Sequence, residues 1–234
     1  TGDSDSSGIY SNADTVSPGV APSDSGVILS TGDARNFANR NGEYNQDTNQ
    51  TTSSSGPSNV AEFNAIAGTS TYDAAYLDVT FIPTGDTMTM QFVFASEEYP
   101  EYVHSVYQDF VAVWVNDVLV PMDIGNGDVD PGNVNDGENE SLFIDNTGDA
   151  YNTEMDGFTI TMTLTMDVVP GEENTIRIAI ADVADASYDS NLLIAADSVQ
   201  TAVIAETDTV NMGINATKTV NVMANDSNTG STLT

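Results

Sequence analysis

The sequence contains no cysteine and has very little positive charge. It holds 36 Asp and Glu residues but only 4 Lys and Arg, which gives a formal net charge of -32 at pH 7. Without cysteine, disulfides and zinc–thiolate sites are excluded, and calcium is the hard cation left to stabilise an extracellular fold. The scarcity of basic residues argues against nucleic acid as a partner, because phosphate groups are bound through Lys and Arg.

Long apolar stretches are also missing. No run of eighteen apolar residues occurs, so we expect no membrane insertion. No signal peptide opens the chain, and its polar first residues are typical of a trimmed or excised start.

Apolar and polar residues alternate with the two-residue period of β-strands from residue 76 onward. Residues 87–94 and 158–168 alternate clearly, whereas both faces of residues 110–115 are apolar. The turn residues at 83–86 and at 116–117 predict two β-hairpins. No sustained helical period is present. The sequence therefore predicts an all-β fold, a two-sheet antiparallel β-sandwich that is jelly-roll-like.

Composition divides the chain into three parts. Residues 1–25 form a polar N-terminal segment, residues 26–205 carry the predicted sandwich, and residues 206–234 look like a linker with the first strands of a further module. Within the second part, residues 35–60 are rich in Asn, Gln, Ser and Thr and are interpreted as a long polar loop.

Two acidic groups follow strongly apolar strands. They contain Glu97 and Glu98 in the first group, and Asp182, Asp185, Asp189 and Asn191 in the second. Carboxylates at such strand ends are partly desolvated and must be paired, protonated or bound to a metal. Because basic partners are nearly absent, we predict that these residues share one Ca²⁺ site, with Asn191 or backbone carbonyls completing the shell. The alternative is two separate solvated turns.

The acidic loop at 122–140 is a second candidate metal site, formed by Asp123, Asp128 and Asp130. An EF-hand is rejected, because the required Gly and the twelfth-position Glu do not fall in register. A looser calcium site and a solvated loop both remain open.

Three tyrosines near the first acidic group, Tyr99, Tyr102 and Tyr107, are candidates for contact with a glycan or protein ligand. Amphipathic packing at a strand end is the alternative, since tyrosine buries its ring and keeps its hydroxyl in water.

An enzyme is not predicted. Glu97 and Glu98 resemble a glycosidase pair, but neighbours in a strand point to opposite faces and cannot flank one sugar. His104 has no cysteine partner or nucleophile motif near it.

Five segments resemble the choice-of-anchor L domain in their order along the chain. They are residues 26–33, 72–77, 92–102, 155–158 and 178–190, including Phe-Ala-Ser-Glu-Glu-Tyr-Pro-Glu-Tyr at 94–102. The resemblance covers about residues 8–204 and implies a secreted or surface-anchored bacterial protein rather than a defined activity. The chain departs from many members of that family at 36–59 and in its short acidic loop after Pro121.

Residues 208–234 resemble the start of the cadherin-like tandem repeats of bacterial adhesins, especially Val-Met-Ala-Asn-Asp at 222–226. These patterns lead to one hypothesis, a calcium-stabilised extracellular module of a surface adhesin that mediates attachment or presents a binding surface. The alternative is a structural subunit of a filament or surface layer, in which C-terminal strands add to a neighbouring subunit's sheet and drive self-association.

Overall fold

The structure is a computed structural model that describes residues 1–39, 47, 49–122, 128–201, 205, 207–224 and 226. The strands in this part are β1 (Ser7–Ser11), β2 (Ser25–Ser30), β3 (Thr71–Phe81), β4 (Thr87–Ser96), β5 (Phe110–Val115), β6 (Val118–Leu119), β7 (Phe143–Asp145), β8 (Gly157–Thr159), β9 (Met162–Asp167), β10 (Asn174–Val183), β11 (Ser190–Ala195) and β12 (Gln200–Thr201). The helices are α1 (Ala13–Val16) and α2 (Ala61–Ala67), with 3₁₀ turns at Ala34–Asn36 and Glu140–Leu142.

These strands form two antiparallel sheets. The larger sheet has the order β1-β2-β11-β4-β8-β7, and β9 and β12 also pair with β4. The smaller sheet has the order β3-β10-β5-β6. The prediction of an all-β, two-sheet sandwich is therefore confirmed.

Three apolar clusters cover the faces of the two sheets. The main core lies between the sheets and contains the inward row of β4, Met88, Met90, Phe92 and Phe94. A second cluster covers the outer face of the larger sheet and includes Val93, Ala95 and Leu193. A third covers the outer face of the smaller sheet, where Phe63 of α2 stacks on Trp114 with 5.3 Å between ring centroids. Strands β5 and β11 are thus buried on both faces along their whole length.

The predicted hairpin at 83–86 is wrong, because β3 and β4 belong to different sheets. The chain does reverse there, but β3 pairs with β10 along most of its length, from Thr71 to Phe81. Turn residues specify a change of direction, whereas the partner of a strand is chosen by long-range packing. The hairpin at 116–117 is confirmed: β5 pairs with β6, and Asn116 and Asp117 both have positive φ, as a type I′ turn requires.

Two further elements differ from the sequence-based expectation. Helix α2 is only seven residues long, too short for a helical period to stand out, and it is anchored by the fully buried Phe63. The alternation at 158–168 breaks between β8 and β9, so Thr159 is buried and Ile160 is 39% exposed.

The two ends of the chain differ in how they join the sandwich. Residues 7–11 of the polar N-terminal segment form edge strand β1, which pairs with β2 through five residues. The described residues beyond β12, at 205, 207–224 and 226, form no strand. The following repeat therefore stays a prediction, and most of its closing residues lie outside the described part. No helix among the described residues is long and apolar enough to cross a membrane.

Gly26 supplies a test of the strand packing. It lies in β2 opposite Tyr10 and Ala195, and a Cβ added there would clash with the carbonyl oxygen of Ile194 and the Tyr10 hydroxyl. We expect Gly26→Ala to lower the free energy of unfolding by ~1–3 kcal/mol, measured by urea denaturation.

Gly8→Ala is the matched control. Gly8 lies in the neighbouring strand, and its added Cβ would meet Ile28 at an ordinary 3.7 Å. Equal stabilities of the two variants would contradict the close approach at Gly26.

Candidate metal centre

The candidate site is built where β4 ends beside the beginning of β11. Ser96 pairs with Ser190 across these strands, and Asn191 pairs with Ala95. The Glu97 N–H donates to the Asp189 carbonyl at 3.2 Å, which extends the ladder by one residue. Glu97 and Asp189 therefore lie opposite each other on the same face of the sheet.

The alternation of β4 separates the two neighbouring glutamates. Glu97 continues the row of Val93 and Ala95 and lies on the outer face of the larger sheet. Glu98 continues the row of Phe92 and Phe94 and lies at one end of the core between the sheets. The structure consequently divides the predicted ligands into two clusters instead of one.

The inner cluster consists of Glu98, Asp109 and Asp182, all at most 2% exposed. Glu98 Oε2 accepts from the Asp109 N–H at 2.8 Å. Asp109 Oδ2 accepts from the Ser190 hydroxyl at 2.7 Å, and its Oδ1 accepts from the Val183 N–H at 3.0 Å. This cluster joins strand ends of both sheets.

Burial controls the protonation of the inner cluster. Burial, and after it the charge of Asp109, raises the pKa of Glu98 to about 11. Burial also raises the pKa of Asp109, to about 7, although hydrogen bonds from Ser190, Asp182 and Val183 oppose the shift. The pKa of Asp182 is raised well above its usual range by burial and then by the Asp109 charge. The desolvated carboxyl groups of this cluster therefore retain protons more readily than carboxyls in water.

The outer cluster consists of Glu97, Asp189, Asn191, Glu154 and Asp156. Glu97 is fully buried, and burial raises its pKa to about 9, with the charges of Asp156, Glu154 and Asp189 adding to the shift. The Gln50 backbone approaches the Glu97 carboxyl and opposes the shift, yet neither carboxyl oxygen makes a hydrogen bond of normal geometry.

The other members of the outer cluster are held in different ways. Asp189 accepts from the Thr52 N–H at 2.9 Å and from its hydroxyl at 2.6 Å, although burial still raises its pKa. The side-chain carbonyl oxygen of Asn191 is buried and has no hydrogen-bond partner. Three oxygen atoms, two from Glu97 and one from Asn191, are therefore unsatisfied on one face.

The donor types of the outer cluster fit a hard cation, because carboxylate and amide oxygens are the ligands that calcium takes. No three acidic or histidine side chains in the described part of the chain are close enough to coordinate a metal by themselves. Calcium at this cluster would need amide, backbone or water oxygens in addition, which its flexible six- to eight-fold coordination accepts. A polar cavity of ≈ 700 Å³, lined by Gln50 and Glu154 among others, opens beside the cluster.

The second predicted site is only partly defined. Asp123 lies outside the described residues. Asp128 Oδ1 is buried without a partner, and burial and the Asp128 charge raise the pKa of Asp130 to about 7. Asp130 Oδ1 accepts from the Asn133 N–H at 2.8 Å, so this side chain stabilises the turn at residues 130–133. Asp185 is exposed and accepts from the Ser187 N–H, and its charge raises the pKa of Glu98 and Asp109, so it lies at the solvent side of the inner cluster.

The tyrosine prediction needs one correction. Tyr99 is fully buried against Phe143, and its hydroxyl donates to the Val134 carbonyl at 2.7 Å, so it cannot contact a ligand. Tyr102 and Tyr107 are half-buried and lie edge to face with 5.8 Å between ring centroids. Tyr188, which was not predicted from the sequence, has its ring centroid 5.0 Å from that of Tyr102.

Sequence reasoning also missed Asp109, Gln50, Thr52, Glu154 and Asp156. A signal existed for Asp109, because it immediately precedes β5 and shares the inward phase of Val111. The other four lie in irregular segments, where no periodicity indicates which side chains face the sheet.

The fold and the buried acidic strand ends define an all-β sandwich module with two carboxyl clusters at one end. A family model described as the Choice-of-anchor L domain matches residues 1–200, so the chain belongs to this family. Membership confirms the resemblance found in the sequence and indicates a bacterial surface protein. The comparison with curated proteins gives no match.

One solved structure is similar to the chain, a family 35 carbohydrate binding module from an environmental isolate. It shares 14% sequence identity and a TM-score of 0.25, over 55% of this chain and 69% of that chain.

The raised carboxyl pKa values predict how stability varies with pH in metal-free protein. Glu97 binds its proton more tightly in the folded state than in the unfolded state, where its pKa is about 4.5. Its contribution to stability is complete below that value and is lost as pH rises toward about 9. In EDTA we expect the free energy of unfolding to fall over this interval by ~1.4 kcal/mol per pH unit for each titrating group. The melting temperature should fall with it.

Glu97→Gln should flatten this decline, because glutamine does not titrate. The exposed Glu173→Gln is the control and should leave the slope unchanged. A melting temperature that rises with pH in all three proteins would contradict the assignment.

Proposed function

We propose that the chain is a calcium-stabilised extracellular module of a bacterial surface adhesin, which mediates attachment or presents a binding surface. The supporting observation is the burial of Glu97, Glu98, Asp182 and Asp189 at one end of the sandwich, where they form no ion pair with a basic residue of the described part of the chain. The described cations pair with other carboxylates or are exposed, although Arg35 also lines the cavity beside the outer cluster. Arg35 pairs with Asp5 at 2.6 Å, Arg177 pairs with Asp78 at 2.7 Å and also with Glu62, and Lys218 is exposed.

Electrostatics explains why a divalent cation would stabilise this end. Two carboxylates 4 Å apart repel by about 4 kcal/mol at an effective dielectric constant near 20. Protons relieve that repulsion only while the carboxyl groups stay neutral. Calcium relieves it with the groups ionised, and extracellular modules bind calcium at ~10⁻⁴–10⁻³ M. Millimolar calcium outside a cell is therefore sufficient to occupy such a site.

The attachment part of the proposal is supported by the tyrosine surface, defined as Tyr102, Tyr107 and Tyr188. Each ring is half-buried and lies beside the acidic loops. A tyrosine presents an apolar ring face and a polar hydroxyl, which suits contact with a glycan or a protein. We propose this surface as the ligand contact, with the loop geometry beneath it stabilised by calcium.

Calcium should raise thermal stability. At one hundred times the dissociation constant, a single site stabilises the fold by about 2.7 kcal/mol. For a domain of this size we expect the melting temperature to rise by about 5–10 °C between EDTA and saturating calcium, followed by circular dichroism.

Magnesium at the same concentration is the ion control and should give a smaller increase, because it dehydrates reluctantly and demands octahedral geometry. A melting curve that EDTA and calcium leave unchanged would refute the calcium part of the proposal.

A second candidate function is that of a structural subunit assembled by strand addition. Ile214 is 97% exposed and Val222 is 61% exposed in residues 207–224, a segment with one acidic and one basic residue. This segment is neutral in a chain of net charge -32, so it approaches an acidic neighbour without repulsion. The free edge of strand β3 could pair with such a strand. Backbone groups of Asn59 and Thr1 already bond to this edge at Thr71 and Tyr76, whereas residues 78–80 are exposed.

Size-exclusion chromatography distinguishes the two functions. Under strand addition, the full chain should elute as concentration-dependent oligomers, and removal of residues 207–234 should yield monomers. Monomers from both proteins at high concentration would eliminate this candidate.

A further inference from the structure

We infer that calcium binds at the outer cluster, through Glu97, Asp189 and Asn191, and that the inner cluster of Glu98, Asp109 and Asp182 takes no metal. This inference rests on the proposed function and assigns the ion to one of the two faces. It replaces a single site shared by Glu97 and Glu98.

The unsatisfied oxygens are concentrated on the outer face. Both carboxyl oxygens of Glu97 and the amide oxygen of Asn191 are buried without a hydrogen bond of normal geometry, although the Gln50 backbone approaches the Glu97 carboxyl. Both residues are at most 1% exposed. Leaving a buried acceptor unsatisfied costs about 1–3 kcal/mol per group. One calcium ion would satisfy all three oxygens, since it accepts bidentate carboxylate and amide ligands.

The register of the sheet brings these oxygens together. Ser96 pairs with Ser190, so Glu97 stands opposite Asp189 and diagonal to Asn191 on the same face. Opposite residues in an antiparallel pair have Cβ atoms about 4.5–5.5 Å apart, and diagonal neighbours are within reach of long side chains. Glu97 and Asp189, which lie just beyond the ends of β4 and β11, and Asn191 of β11 are therefore neighbours on one face of the sheet.

Two covering segments complete the outer site. Thr52 holds Asp189 through its N–H and hydroxyl, and the Asp47 N–H donates to Glu154 Oε2 at 3.2 Å. A polar cavity next to these segments is lined by Asp47, Gln50 and Glu154, together with Arg35. Calcium at this point would hold the cover formed by residues 49–54 and 153–156 against the larger sheet.

The carboxyl groups of the inner cluster are stabilised mainly by hydrogen bonds from the protein. Both Asp109 oxygens accept hydrogen bonds, from Ser190 and from Val183, and Glu98 accepts from the Asp109 backbone. Asp182 hydrogen-bonds to Asp109 and Thr31, and only its Oδ1 atom is left without a partner. A bridging ion would have to displace these hydrogen bonds, whereas at the outer cluster it would add ligands to unsatisfied atoms.

Isothermal titration of calcium into EDTA-treated full-length protein tests this assignment, with sodium chloride present to suppress weak surface binding. We expect Glu97→Gln to weaken calcium binding at least about tenfold, the size of effect seen on disturbing metal-site residues. The matched control is Glu98→Gln, the same change one residue along the strand, which should alter the dissociation constant by less than about twofold. Asn191→Ala should also weaken binding.

Hydrogen exchange of the wild-type protein gives a readout that needs no variant. Calcium should slow exchange at the amides of Thr52 and Asp47 in the outer cover, and leave Asp109 and Val183 in the inner cluster unchanged.

The possible outcomes separate this inference from the proposed function. Calcium binding that is lost in Glu98→Gln but kept in Glu97→Gln, or protection confined to Asp109 and Val183, would overturn the outer assignment and leave the calcium-stabilised module standing. A wild-type protein without saturable calcium binding would overturn both.

Discussion

The structure depends on one constraint: carboxyl groups are buried at the tips of apolar strands in a chain with almost no cations. Glu97, Glu98, Asp109 and Asp182 are each at most 2% exposed, and the paired arginines lie at exposed carboxylates elsewhere. A buried carboxylate without a partner is unfavourable by several kcal/mol, so each group must keep a proton, gain hydrogen bonds or bind a cation. The two clusters use different combinations of these solutions.

The pleat of the larger sheet places Glu97 and Glu98 in different surroundings. Successive residues of a strand face opposite sides, so Glu97 and Glu98 have different neighbours although they are adjacent in sequence. Glu98 joins the ends of β5 and β10 across the sandwich core through Asp109 and Asp182. Glu97 instead faces irregular segments that cover the outer sheet, and its two carboxyl oxygens have no hydrogen-bond partner of normal geometry there. This division connects the fold with the proposed function, because an ion on the outer face would stabilise loops that lie near the surface of the module.

Much of the architecture follows from local patterns. Alternation in residues 87–94 places Phe92 and Phe94 in the core, and the doubly apolar strand at 110–115 is buried on both faces, as expected. The acidic character of the strand ends was also evident, because Glu97 and Asp189 directly adjoin apolar strands. Helix α2 was not evident, since seven residues give too few turns for a period, and only Phe63 anchors it. The sheet assignment of β3 was missed because turn chemistry at 83–86 is equally compatible with a hairpin and with a crossing between sheets.

The amino-acid sequence by itself determined the class of fold, the shortage of cations and the positions at which acidic residues leave the strands, because these depend on composition and on a period of two. Only the tertiary structure decided which carboxyl groups meet. Asp109 reaches Glu98 and Ser190 across separations of 11 and 81 residues, and Thr52 reaches Asp189 across 137. Such contacts are set by the pairing of distant strands and by irregular loops, whose side-chain directions follow no repeating pattern. The burial of Tyr99 beneath Val134 has the same origin, since no local signal distinguishes it from the half-exposed Tyr102.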